Sequence, residues 1–231
     1  MKNGKSILLC GASGLVGSEC LKLLLADPAF SRVVTIGRRP LAPEIAATAN
    51  AAKLEHHVID FDHLDRYADL LRVDQIICAL GTTIKQAGSE ERFRQVDFGY
   101  PLALAQLGAE QSATHFLLVS AIGANARSRL FYNRVKGELE QEVCALPYRS
   151  ITIVRPSLLL GERAEFRVGE EIGKRFAFLF PSKYKPVPAR TVAAAMVAAA
   201  REDQPGRRVL EPAQIHAIAD NARLLKVRAG Q

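Results

Sequence analysis

Short runs of β-branched and other apolar residues alternate along this chain with segments in which apolar positions recur every three or four residues. The runs lie at 6–10, 32–36, 54–59, 75–80, 114–120, 149–155 and 208–211, and the helix-period segments at 15–26, 63–71, 90–111, 128–145, 170–178, 191–201 and 214–228. Continuous apolar strands, rather than strands that alternate with polar residues, are those of a parallel sheet covered on both faces. The pattern therefore predicts an α/β fold with a doubly wound, mostly parallel sheet. No linker, repeat or low-complexity tract divides residues 1–231, so they read as a single domain. Within it, 157–188 contains no clear strand and is rich in Gly, Phe and Lys, as expected of a small substrate-side cap after the sixth strand.

Composition narrows the class without changing the fold. The chain has 231 residues, 48% hydrophobic and 24% charged, the balance of a sequence that buries a core. The small, apolar run at 192–200 is far short of the ~20 residues needed to cross a bilayer, and the N-terminal stretch is broken by glycines. Neither a membrane span nor a secretory signal is expected. The net charge of +7 raises nucleic acid as a partner, yet no five like charges are consecutive and the excess is spread. Nucleic acid is therefore not expected, whereas a phosphorylated small molecule suits an excess of arginine. The four cysteines form no CxxC pair, which suggests free thiols in a reducing, cytoplasmic setting. His56, His57 and His63, with Asp60 and Asp62, are the one group suggestive of a metal. Neighbouring side chains on a strand point to opposite faces, so the group does not converge and no metal is expected.

Candidate chemistry begins at Gly11-Ala12-Ser13-Gly14-Leu15-Val16-Gly17, a GxxGxxG turn between the first strand and first helix. Gly11, Gly14 and Gly17 permit a tight turn and close approach of the backbone to a pyrophosphate, which the helix N-terminus then meets. The same turn can also exist without a ligand. After the second strand comes Gly37-Arg38-Arg39, with no acid before Glu44. An NAD site usually has Asp or Glu there, whereas Arg38 and Arg39 would pair with a 2′-phosphate, favouring NADP(H) over NAD. The bland reading is a solvated loop with two arginines. Asp60 and Phe61 after the third strand are placed to meet the adenine, and Ala79-Leu80-Gly81-Thr82 after the fourth to run along the cofactor. Gly81 as a simple turn and Phe61 as simple core are the alternatives.

Ser120 ends the fifth strand, and Tyr132 and Lys136 follow four residues apart, on one face of a helix. An ammonium beside a phenol stabilises the phenolate, which suits Tyr132 to protonate the oxygen of a carbonyl undergoing reduction. Ser120 would hydrogen-bond that oxygen, and Lys136 would also reach the nicotinamide ribose. An exposed helical pair is the alternative for a bare YxxxK.

With these motifs in order, and with Arg155-Pro156 after the sixth strand, the chain resembles over its whole length an atypical short-chain dehydrogenase/reductase of Rossmann type. Cys78-Ala79-Leu80-Gly81-Thr82-Thr83, Phe93-Arg94-Gln95-Val96-Asp97 and Arg155-Pro156-Ser157-Leu158-Leu159-Leu160 are similar to the Tat-interacting-protein oxidoreductase branch. That resemblance implies NADPH contacts from Ser13, Gly14, Leu15, Val16, Arg38, Arg39, Leu80, Gly81, Tyr132 and Lys136, and from Leu159 and Arg167. It implies an NADPH-dependent reductase of an undefined small carbonyl substrate or, alternatively, an NADPH-binding regulator that signals to a protein partner. A homodimer is the other assembly considered. Asp97 stands where many members carry a relay Asn, and an anion there would bind Lys136 rather than pass protons. The chain is also too short for the large sugar-nucleotide subdomain of the epimerases. Two further segments are read as a capping helix rather than a membrane-surface element (174–180) and as a mobile loop at the substrate mouth (83–94).

Overall fold

The computed structural model describes residues 4–42, 51–157, 159–160 and 186–229. Seven strands form one sheet: β1 (Lys5–Cys10), β2 (Phe30–Gly37), β3 (Leu54–Val58), β4 (Gln75–Cys78), β5 (His115–Val119), β6 (Ser150–Val154) and, last in the chain, β9 (Gly206–Leu210). Their order is β3-β2-β1-β4-β5-β6-β9, and every neighbouring pair is parallel. A short pair, β7 (Leu159–Leu160) and β8 (Val187–Pro188), stands apart from it. Apart from these few residues, the expected cap, the helix at 170–178, the 174–180 segment and Arg167 lie outside the described residues.

The unbroken apolar runs are explained by burial on two sides. In β1, Ile7 and Leu9 join one core cluster while Leu8 and Cys10 join the other. On the first face pack α1 (Leu15–Ala26), α6 (Ala189–Glu202) and α7 (Pro212–Ala229). Ala193, Ala195, Ala199 and Ala200 are fully buried, which lets α6 lie close on α1. The second face carries a helical segment at 61–71, α4 (Tyr100–Glu110) and α5 (Phe131–Ala145).

Three local departures from the predicted elements have physical causes. Phe61–Leu71 is a 3₁₀ run interrupted at His63 and Tyr67, and its buried Phe61 and Leu64 are spaced by three, the repeat of that helix. Residues 90–111 are not one helix: α3 (Glu90–Arg94) passes through a π turn, Gln95–Gly99, into α4. Pro101 has no N–H to give the Asp97 carbonyl, and the Tyr100 N–H reaches back to the Gln95 carbonyl instead. Finally, 83–94 holds two short helices rather than a loop, α2 (Ile84–Ala87) and α3, capped by the hydroxyls of Thr83 and Ser89.

At the amino ends of the strands, His115 is fully buried, with Nδ1 3.1 Å from Asp203 Oδ1 and Nε2 3.0 Å from Thr152 Oγ1. Asp203 also pairs with Lys5 at 3.0 Å and Arg149 at 2.6 Å. Burial pushes the imidazole down to about 4 from 6.5, against the upward pull of Asp203 and with Arg208 and Arg149 lowering it further. The native state therefore binds fewer protons than the unfolded chain between those values, and stability falls as pH drops through that window. Urea midpoints are expected to decline from pH 7 to pH 4.5, and His115→Gln to flatten the decline. An unchanged slope in the variant would assign the acid sensitivity to other groups.

Candidate functional site

The strand order reverses between β1 and β4, so a crevice opens at their carboxyl ends, where a doubly wound sheet receives its ligand. Gly11 leaves β1 with φ +91°, and a Cβ there would lie 2.6 Å from the Ala79 carbonyl oxygen. A Cβ on Gly17 would lie 2.0 Å from the Gly11 carbonyl oxygen, so a side chain at either position would force the turn apart. α1 then opens at Gly14, which offers no side-chain cap, and its first turn holds no acidic residue. Its first N–H groups suit an anion, and in this respect the turn fits a dinucleotide pyrophosphate. Ser13 is exposed and Leu15 half-buried, while the Val16 side chain belongs to the core, leaving its backbone for the turn.

Arg38 and Arg39 are both exposed just past β2. Asp60 is exposed, and its carboxylate accepts the Asp62 N–H at 3.0 Å, capping the 3₁₀ run. The Phe61 ring is buried against Tyr100, with centroids 5.3 Å apart, so a ligand at this strand end would meet Phe61 through its backbone. Leu80 is half-buried and Gly81 exposed beyond β4. Leu159 is half-buried on β7. Cys10 and Cys78 face each other in register at the crevice floor, and burial raises both thiols, Cys78 to about 11. They act there as packing groups.

The helix pair sits against this crevice. Tyr132, in the first turn of α5, is half-buried with its ring 5.6 Å from that of Phe93. Lys136, one turn on, is buried, and its Nζ lies 2.7 Å from Asp97 Oδ1 in the π turn. The second Asp97 oxygen accepts the Thr82 N–H at 2.8 Å, which ties the π turn to the chain leaving β4. Burial disfavours the Lys136 charge, but Asp97 and then Tyr132 outweigh it, so its pKa is raised and the ammonium persists. The expected Asp97–Lys136 contact is thus present.

Ser120, at the carboxyl end of β5, is buried and engaged within the protein. Its hydroxyl donates to Glu140 Oε1 at 2.5 Å, which leaves the oxygen's lone pairs as its remaining hydrogen-bonding capacity. Glu140 is buried and is held by the Arg155 guanidinium, whose Nη1 also reaches Glu211 Oε1 at 3.0 Å. Glu140 and Glu211 were not among the expected site residues. The available signal was spacing, because Glu140 lies four residues beyond Lys136 on the stripe that carries Tyr132. Among the described residues no group of His, Cys, Asp and Glu could hold a metal ion, and no helix is long and apolar enough to cross a membrane.

Protein HTATIP2 of Rattus norvegicus is 38% identical over 197 residues, 84% of this chain and 80% of the rat protein. The kinship expected from the motifs therefore holds. Protein fmp52, mitochondrial, of Emericella nidulans is 35% identical over 74% of each chain. Such relatives, with those of Candida albicans and Aspergillus fumigatus also named mitochondrial, overturn the cytoplasmic expectation. Free thiols report a reducing environment but do not specify which compartment supplies it.

Among solved structures, MoeE5 in complex with UDP-glucose and NAD superposes with a TM-score of 0.68 at 15% identity, covering 89% of this chain and 75% of that one. Gox2253 does so with 0.69 at 18%, covering 95% and 76%. At such identities the likeness is one of fold. A sequence profile of the NAD dependent epimerase/dehydratase family matches residues 7–176. By that match and by its curated relatives, the chain belongs to the NAD dependent epimerase/dehydratase family.

Proposed function

We propose that the protein is an NADP(H)-dependent oxidoreductase that reduces a small carbonyl compound. The observation that carries this reading is the buried, persistently charged Lys136 one helical turn from Tyr132, tied through Asp97 to the chain leaving β4. The turn at 11–17 would hold the pyrophosphate, Arg38 and Arg39 the 2′-phosphate, and Asp60 and the Phe61 backbone the adenine. Leu80 and Gly81 would border the rest of the cofactor.

When bound, the cofactor supplies a hydride. Tyr132 gives its hydroxyl proton to the carbonyl oxygen, and the Lys136 ammonium stabilises the phenolate that remains. Ser120, its own proton directed at Glu140, accepts from the alcohol as it forms and so orients it. Tyr132 is only half-buried, so it keeps some exposure through which a substrate could reach it.

Titration with NADPH and NADH tests the cofactor assignment. Arg38→Ala and Arg39→Ala are each expected to weaken NADPH roughly tenfold, the scale of one charge-assisted hydrogen bond, and to leave NADH unchanged. Equal affinity for both cofactors in the unmutated protein would sink the phosphate reading. Asp97 supports a second reading, in which the ion pair holds Lys136 too firmly for turnover and the protein senses NADPH for a partner. Tight NADPH binding with no activity on any carbonyl would decide for it.

A further inference from the structure

We propose that His56 is a positioning residue for dinucleotide selectivity, holding the Arg38–Arg39 loop in the shape that receives a ribose 2′-phosphate. The inference rests on the NADP(H) reading and adds a residue to it. β2 and β3 pair with Thr35 opposite His56 and Gly37 opposite Val58, which places the imidazole beside the chain that leads to both arginines. A Cβ on Gly37 would lie 3.7 Å from His56 Cε1 and 3.6 Å from the Arg39 carbonyl oxygen, so ring and loop are in close register.

Both ring nitrogens are engaged. Nε2 lies 3.1 Å from the Arg39 carbonyl oxygen and Nδ1 2.9 Å from Thr35 Oγ1. A carbonyl only accepts, so Nε2 carries the hydrogen and donates it. In the neutral ring Nδ1 then accepts from the Thr35 hydroxyl. In the charged ring Nδ1 donates to Thr35, whose hydroxyl can turn to the Glu55 carbonyl 3.3 Å away. The brace survives in either state. Its anchor is rigid, because Thr35 is fully buried in β2.

Arg38 and Arg39 are exposed. Exposed guanidiniums bind a phosphate well only if the backbone beneath them is already in place, since ordering it on binding costs affinity. His56 supplies that order from the sheet to the second arginine. NADH has no phosphate at this position and makes no use of it. The histidine whose neighbours suggested a metal thus has a different assignment, as a strut beneath an anion clamp.

The experiment measures NADPH and NADH affinity, with melting temperature, for the unmutated protein and for His56→Ala, His56→Gln and His56→Asn. His56→Ala is expected to weaken NADPH about fivefold, the scale of one hydrogen bond, and to change NADH by less than about twofold. His56→Gln, whose amide reaches the Arg39 carbonyl, restores most of the preference, and the shorter His56→Asn does not. Equal losses for both cofactors, or Gln and Asn variants that behave alike, would overturn the inference. If the alanine variant does not fold, the Gln and Asn pair decides. Preference abolished by Arg38→Ala and Arg39→Ala but intact in His56→Ala defeats this inference alone. No preference in the unmutated protein defeats the NADP(H) reading and this inference with it.

Discussion

Tyr132→Phe is expected to lower carbonyl turnover by roughly 10²–10⁴-fold, the usual worth of a positioned general acid, and to leave NADPH affinity within about twofold. The substitution is clean because it removes one oxygen. The ring contact with Phe93, 5.6 Å between centroids, is kept, and Phe93 is itself fully buried, so the start of α5 has no reason to move. What is lost is the group on which the Lys136 charge acts. Tyr132 and Lys136 are electrostatically coupled, and a charge held in a buried position acts on a neighbouring phenol with less screening than one in water. A single-turnover measurement with saturating NADPH separates proton transfer from cofactor binding. More than a tenth of the activity surviving in the variant would remove Tyr132 from the chemistry.

Most of this site was legible because its parts are local. Gly11, Gly14 and Gly17 lie within seven residues, and Tyr132 and Lys136 within one turn, so spacing alone places each set. The seven strands were legible for a related reason: burial on both faces leaves continuous apolar runs. What escaped depends on partners far apart in the chain. That the Ser120 hydroxyl donates to Glu140 is not visible from spacing, and Glu140 is fixed by Arg155 from just past β6, which in turn meets Glu211 beyond β9. Strand geometry argues against a metal at His56, but that its two nitrogens meet Thr35 and Arg39 emerges only from the pairing of β2 with β3. The π turn shows an intermediate case. Pro101 is plain in the sequence, but its effect, bringing Asp97 to Lys136, needs the packing of α4 against α5 to be recognised.

The Asp97–Lys136 pair offers the sharpest separation of stability from function. Both side chains are almost wholly buried, at 1% and 4% exposure, and their charges lie 2.7 Å apart. Removing one partner strands the other charge in the core, so Asp97→Ala and Lys136→Met should each cost about 3–5 kcal/mol of stability. Lys136→Met is expected to be the milder, because the Thr82 N–H still satisfies one Asp97 oxygen. The double variant Asp97→Leu with Lys136→Met removes both charges and the desolvation that each incurs. Apolar replacement of a buried ion pair is often neutral or stabilising, so the double variant should recover most of what either single variant loses. It should nevertheless show no carbonyl turnover, since nothing then stabilises the Tyr132 phenolate. Urea unfolding and single-turnover rates measured on the three variants test the two statements separately. A double variant as unstable as the singles would show that the pair is a structural keystone, and one that still turned over would show that Lys136 is not needed for proton transfer. Recovery of stability without recovery of activity means that the buried charges are retained for the chemistry at Tyr132, at no net gain to the fold.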